Sequence, residues 1–276
     1  MKQRELHFPG CKDANLFGQA WLPEPAPRAV IVISHGLGEH GGRYASLATR
    51  LVGSGYAVYA IDHRGHGRSS GRSANIERFD YLVSDLGIFI GRAQREHPDV
   101  PVILFGHSMG GAVALACALK YHKVLRSLVL SAPALAAGEA LPAFKVWMVK
   151  LLSAIAPNVG ALTLPAAAVS RDPAVVRAYE SDPLVFHGSV PARTLAELLL
   201  AMQRLQRTAH ELRLPVLAQH GTADSLVPLA AVHPIYQHLG VAKSRTLQVY
   251  EGLYHEVYNE SERDRVIADL EAWLPG

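Results

Sequence analysis

The sequence predicts an α/β fold: a mostly parallel central sheet wrapped by helices and interrupted by one helical insertion. Three observations carry that expectation. Short apolar runs of strand length recur along the 276-residue chain, and segments with helical spacing separate them. One stretch of about eighty residues, between the runs at 127 to 133 and 214 to 221, breaks this rhythm. Near-continuous hydrophobic runs mark strands buried on both faces, and their alternation with helices is the pattern of a parallel sheet.

Taken in order, "RELHFPG" and "NLFGQAWLP" alternate like an antiparallel hairpin at one edge. The strands then follow as "AVIVIS" (29 to 34), "YAVYAID" (56 to 62), "VPVILFG" (100 to 106), "SLVLSAP" (127 to 133), "LPVLAQHG" (214 to 221) and "RTLQVYEG" (245 to 252). Helical spacing lies between and after them, at 43 to 53, 79 to 97, 108 to 121, 229 to 239 and 261 to 273. The long interval is rich in Ala and Leu and punctuated by Pro142, Pro157, Pro165, Pro173, Pro183 and Pro191. A connection of that length is no bare loop in a compact domain, so it reads as a helical cap over 135–211, inserted in a core of 1–134 and 212–276. Within it Phe144, Trp147, Met148, Leu151, Leu152 and Ile155 form one helix stripe, and Val146 and Val149 extend its apolarity. Two readings stay open for this helix: packing on the core, or an apolar face that meets lipid or acyl chain.

Composition excludes several function classes. The formal charge is +3, from 27 basic and 24 acidic residues with no block of like charges, so no nucleic-acid partner is expected. Cys11 and Cys117 supply neither a disulfide framework nor a paired metal motif, and no cofactor or metal site is visible. The N-terminus "MKQRELHFPG" is charged and short of apolar residues, and no run reaches membrane-span length. The expectation is a soluble cytoplasmic protein, with peripheral membrane association if the cap helix meets lipid.

"GHSMGG" (106 to 111) places Ser108 at the centre of Gly-x-Ser-x-Gly, but "GRSSG" (67 to 71) offers Ser69 in the same pattern. Context decides between them. A nucleophile elbow needs a strand that ends, a sharp turn and a helix that starts at the serine. Ser108 has the strand "PVILF" before it and the apolar helix "MGGAVALACALKYH" after it, with Gly106 and Gly110 removing Cβ atoms from the turn. Gly111 allows close packing of that helix. Ser69 sits in the long polar loop "DHRGHGRSSGRSAN" and reads as structural.

A serine hydroxyl needs a base to take its proton and a carboxylate to orient that base. On an elbow of this kind the acid and then the histidine follow the serine, each in a loop after a later strand. Asp224, in "HGTADSLVP", and His255, in "YEGLYHEVYNE", satisfy that order among fourteen histidines. His220 lies too early, His233 and His238 fall on a helix, and His122, His187 and His210 precede the acid. Glu256 adjoins His255 and is set aside as orienter, since loop neighbours seldom meet side chain to side chain. The oxyanion hole needs two backbone amides, assigned to Met109 after the nucleophile and to Leu37 in the Gly-flanked loop "HGLGEH".

Together, "HGLGEHGGRY" (35 to 44), "DHRGHGRSSG" (62 to 71), "GHSMGG", "SAPAL" (131 to 135), "SDPLV" (181 to 185), "GTADSLVP" (221 to 228) and "GLYHEVYNE" (252 to 260) resemble the monoacylglycerol lipases of the α/β-hydrolase superfamily, particularly the bacterial type. The resemblance runs from about residue 28 to the C-terminus and touches the cap at "SDPLV". It implies cofactor-independent cleavage of monoacylglycerol to glycerol and fatty acid through an acyl-enzyme on Ser108. It also implies Glu39, Arg43 and Tyr179 at the polar end of the substrate site. From the residues alone, Glu39 and Arg43 pairing with each other is equally open. Lysophospholipase, short-chain esterase or thioesterase activity on the same triad is the alternative, with a silent binding module further off.

Overall fold

The computed structural model describes residues 1–137, 143–240 and 244–274, without the side chains of 143–146. Pro142 and the side chains of Phe144 and Val146 lie outside the described residues.

The core is an eight-stranded sheet of β1 (Lys2–Pro9), β2 (Asn15–Leu22), β3 (Ala29–Ser34), β4 (Tyr56–Asp62), β5 (Val102–His107), β6 (Ser127–Ser131), β9 (Val216–Gly221) and β10 (Arg245–Tyr250). Two short strands, β7 (Gly160–Leu162) and β8 (Val190–Pro191), pair separately. The order across the large sheet is β1-β2-β4-β3-β5-β6-β9-β10, antiparallel at the β1–β2 and β2–β4 pairings and parallel thereafter. The helices are α1 (Ala45–Gly53), α2 (Phe79–Glu96), α3 (Met109–Tyr121), α4 (Ala143–Ile155), α5 (Pro173–Ser181), α6 (Ala192–Thr208), α7 (Leu229–His238) and α8 (Arg263–Trp273).

Alternation along β3 explains the layers. Val30 and Val32 join the cluster that holds Leu82, Leu86 and Phe89 of α2, Val113 of α3 and Tyr236 of α7. Ile31 and Ile33 face the opposite cluster, with Leu47 and Leu51 of α1 and Val266 and Leu270 of α8. Successive side chains of a strand point to opposite faces, so a run apolar at every position is buried by helices on both sides.

Element ends moved by a few residues, for local reasons. The strand expected at 127–133 stops at Ser131 because Ala132 takes φ 41°. The one expected at 245–252 stops at Tyr250 before a turn through Gly252 at φ 74°. Pro101 and Pro215 lack an amide donor, so β5 and β9 begin at the residue after each. The helix expected at 43–53 opens as a 3-10 turn over Gly41–Tyr44 before α1.

Among the described residues between β6 and β9 lie α4, α5, α6 and the β7–β8 pair. Asp172 caps α5 by accepting the Ala174 amide at 2.8 Å, with Pro173 in the first turn. The buried Thr194 hydroxyl accepts the Ile76 amide and donates to the Ala74 carbonyl, fixing the start of α6 on the core. The β7–β8 pair was not foreseen, since strands of three and two residues carry no periodic signal. On α4, Trp147 (62% exposed), Met148, Leu151, Leu152 and Ile155 (75%) stand in solvent, so the core-packing reading of the stripe fails for its described side chains.

Candidate active site

Ser108 occupies the turn from β5 into α3 with φ 51° and ψ −121°, a conformation costly for any residue with a Cβ. The neighbouring glycines make room. A Cβ on Gly106 would lie 2.5 Å from the Gly110 carbonyl oxygen, and one on Gly110 would lie 2.1 Å from that of Ser34. The Ser108 amide donates to the Ser131 carbonyl at 3.0 Å, which anchors the turn on β6. Ser69 is elsewhere and fully used: its hydroxyl donates to the Asp62 carbonyl and accepts the Phe17 amide.

The loops after β9 and β10 meet at Gly221, where a Cβ would sit 2.1 Å from the Leu253 carbonyl oxygen. That contact brings Asp224 to His255. The His255 Nδ1–H donates to Asp224 Oδ2 at 2.7 Å, leaving the Nε2 lone pair on the opposite edge of the ring. Asp224 Oδ1 accepts the amides of Leu226 and Val227, each at 2.9 Å. His220 also reaches Asp224 Oδ2, at 3.2 Å, while contacting the Val227 carbonyl and the Tyr236 hydroxyl. Burial pushes the Asp224 carboxyl upward, but the hydrogen bonds from His220, His255 and Val227 outweigh it and hold the group well below its ordinary value.

Beside the serine, the His107 ring lies 4.7 Å from that of His255 and its Nδ1 is 3.1 Å from the Ser131 carbonyl. Burial first, and the proximity of His255 second, push His107 down to about 4, so it is neutral near pH 7.

The loop after β3 is braced from both sides. From the core, Glu39 Oε1 accepts the Gly36 amide at 2.6 Å and the Tyr44 hydroxyl at 2.8 Å. From the segment between β6 and β9, the Phe186 amide donates to the Gly38 carbonyl at 2.7 Å, and Asp182 contacts His40 Nε2 at 2.9 Å. Because His40 Nδ1 accepts the Gly42 amide, Nε2 carries the proton that Asp182 receives.

Arg43 links this loop to the histidine loop. One guanidinium nitrogen donates to Glu39 at 2.7 Å and to Glu256 at 2.6 Å, the other to Glu256 at 2.8 Å. The Tyr179 ring lies over the guanidinium at 4.8 Å. The histidine loop is tied to the same segment: the Glu256 amide donates to the Val169 carbonyl, and the buried Glu260 accepts the amides of Tyr254 and Arg171.

One cavity of about 360 Å³ gathers most of the expected residues. Ser108, His255, Leu37, Met109, Glu39 and Tyr179 all line it, and Asp224 stands behind His255. Arg43 does not line it; the guanidinium is occupied by the two carboxylates and Tyr179. The rest of the wall is mostly apolar, from Leu162, Leu198, Leu199, Met202 and Leu226 among others. Such a chamber can hold an acyl chain with its carbonyl beside Ser108. Among the described residues no cluster of His, Cys, Asp or Glu is arranged to hold a metal.

Sequence reasoning missed Glu256, which was weighed only as a rival orienter, and missed Asp182, His40 and Glu260. Each belongs to a motif block already quoted, yet their partners lie far off in the chain: 213 positions separate Arg43 from Glu256, and 142 separate His40 from Asp182.

Comparison with known proteins places the chain in a family. The Hydrolase_4 family model, described as serine aminopeptidase, S33, matches residues 25–262. A monoacylglycerol lipase from Mycolicibacterium smegmatis is 38% identical over 270 residues, covering 98% of this chain and 96% of its own. The human monoglyceride lipase is 34% identical over 271 residues, covering 97% and 89%. The crystal structure of Paleococcus ferrophilus monoacylglycerol lipase superposes with TM-score 0.81 at 29% identity, covering 99% and 98%. With the fold, the strained serine turn and near full-length similarity in agreement, the chain belongs to the monoacylglycerol lipase family of α/β-hydrolase-fold serine hydrolases.

Proposed function

We infer that the protein cleaves monoacylglycerol to glycerol and a free fatty acid, and that Ser108, His255 and Asp224 carry the reaction. The observation that supports this best is the convergence of the strained Ser108 and the Asp224-oriented His255 on one largely apolar cavity. The Ser108 hydroxyl attacks the ester carbonyl while His255 Nε2 takes its proton. The carbonyl oxygen becomes an oxyanion held by the amides of Leu37 and Met109, each such donor contributing about 3 to 4 kcal/mol of barrier lowering. Collapse breaks the bond to glycerol, whose oxygen takes the proton from His255. Water then attacks the acyl-enzyme, gives its proton to His255, and the fatty acid leaves as Ser108 recovers its hydrogen.

In this reading residues 135–211 act as a cap on a core of 1–134 and 212–276. Glu39 and Tyr179 stand at the polar end of the cavity, and Arg43 works through the carboxylates it holds. The test is fatty acid release from monooleoylglycerol, dioleoylglycerol and lysophosphatidylcholine side by side. The monoglyceride is expected to be preferred; preference for the lysophospholipid would overturn the substrate and keep the mechanism.

The exposed apolar face of α4 favours one addition, a transient contact between the cap and a lipid surface. No helix among the described residues is long and apolar enough to cross a membrane, so such contact would be peripheral. Trp147 and Ile155 can be changed with little cost to the fold, being the most exposed of the stripe's described side chains. Burying either side chain in lipid is worth about 1.5 to 3 kcal/mol, so the double variant Trp147→Ser, Ile155→Ser should bind monooleoylglycerol-bearing vesicles at least about tenfold more weakly. Hydrolysis of a soluble short-chain ester should be unchanged. Equal loss on both substrates would count against the lipid contact.

A further inference from the structure

The polar end of the cavity is unbalanced in charge. Its described lining includes Glu39 and Glu256 but no lysine or arginine. Among the described residues both carboxylates pair with one cation, Arg43, and all three side chains are exposed by 10% or less. Glu39 is held ionised in spite of burial by Arg43 and by the hydrogen bond from the Gly36 amide. Glu256 accepts two bonds from the guanidinium and one from the Asn259 side-chain amide at 2.8 Å. Asp224 adds a further negative charge behind His255. Two further pairs, His40 with Asp182 and Arg171 with Glu260 and Glu262, are already matched to acidic partners.

We propose that Glu39, Arg43 and Glu256 form a charge filter that admits acyl esters of uncharged, hydroxyl-bearing headgroups and rejects those bearing phosphate or carboxylate. Glu256 is the specificity-determining residue. The inference rests on the ester hydrolase reading and narrows its substrate class. An anionic headgroup beside Ser108 would lose its hydration and meet an excess of negative charge in a poorly solvated wall, with no lysine or arginine among the described lining residues to pair with it. A glycerol headgroup carries no charge to be repelled, and its hydroxyls can donate to the carboxylates there.

The experiment compares kcat/KM on two substrates with the same chain, monooleoylglycerol and oleoylglycerol phosphate, in one detergent system, for wild type, Glu256→Gln and Glu256→Asp. One unit charge at about 10 Å in an effective dielectric near 20 changes such a ratio by roughly tenfold or more. Wild type should favour the uncharged lipid strongly. Glu256→Gln should shrink that preference about tenfold, whereas Glu256→Asp, which disturbs the packing but keeps the charge, should retain most of it. Equal ratios in the two variants, or no preference in wild type, would overturn the filter while leaving the hydrolase reading intact. A wild type silent on both lipids but active on a short ester would overturn the monoacylglycerol assignment instead. Inhibition of the wild type provides a measure that needs no variant: dodecanol should bind at least about tenfold more tightly than dodecyl phosphate, and the reverse order would also refute the filter.

Discussion

Replacing Ser108 with alanine is expected to lower kcat about a millionfold, because members of a catalytic triad act as a unit and the loss of the nucleophile removes the acyl-enzyme route. The fold should survive. Alanine keeps the Cβ that serine already carries at φ 51°, and the space around the turn is made by Gly106 and Gly110, which stay unchanged. The hydrogen bonds that anchor the turn run through the backbone: the Ser108 amide to Ser131, and the Ser108 carbonyl to the amides of Gly111 and Ala134. The thermal midpoint should therefore match wild type while fatty acid release falls to the level supplied by binding and oxyanion stabilisation alone. A variant that keeps a tenth of its activity would refute Ser108 as the nucleophile, and would return attention to the other residues of the cavity.

Stability is expected to fall steeply as pH drops from about 6.5 towards 4. His35, His63, His66 and His107 are each no more than 5% exposed, and burial lowers the pKa of all four, His107 to about 4. The His35 ring packs against those of His63 and His66, at 4.7 and 5.3 Å, and the His107 ring against that of His255. His35 Nε2 accepts the His63 amide at 2.9 Å, and the Ser34 hydroxyl lies 2.8 Å from His63 Nε2. Each is neutral in the folded protein at pH 7 and titrates near 6.5 once unfolded. Below 6.5 the unfolded chain binds more protons than the folded one, so the stabilisation is complete above that value and lost as pH falls towards the folded pKa. His107 alone accounts for about 3 kcal/mol over this window. Asp62, pushed up by burial, acts in the opposite sense, whereas Asp224 and Glu39 add to the loss only below the ordinary carboxylate range. Urea unfolding between pH 7.5 and 4.5 should show uptake of about two or more protons on unfolding. A flat profile would mean that these histidines are already charged in the folded state.

Much of the fold was legible because it is encoded at short range. Runs such as Ala29–Ser34 are apolar at every position, and only a strand covered on both faces satisfies that pattern. The serine turn was equally local. Strand, glycine, serine, glycine and helix fall within twenty residues, and the same test rejected Ser69, whose hydroxyl is bound into its own loop. Asp224 and His255 followed from chain order, since each comes after a strand whose place in the sheet is set by the same alternation. The boundaries that moved did so where prolines lack donors or a residue turns to positive φ, details that periodicity does not resolve.

By itself, then, the sequence determined the layered sheet, the turn that presents Ser108 and the order of the residues expected to act with it. Tertiary structure alone decided the role of Arg43. From sequence it is a cation four positions from Glu39; in the fold a second carboxylate 213 positions away takes two of its hydrogen bonds and Tyr179 covers it. It likewise decided that the stripe on α4 faces outward and that Asp182 braces the loop after β3 through His40. The physical reason is range. Backbone periodicity and turn chemistry are set by neighbouring residues, whereas the charge of a buried pocket is set by which loops meet, and that meeting is fixed only when the sheet has ordered all of them at one edge.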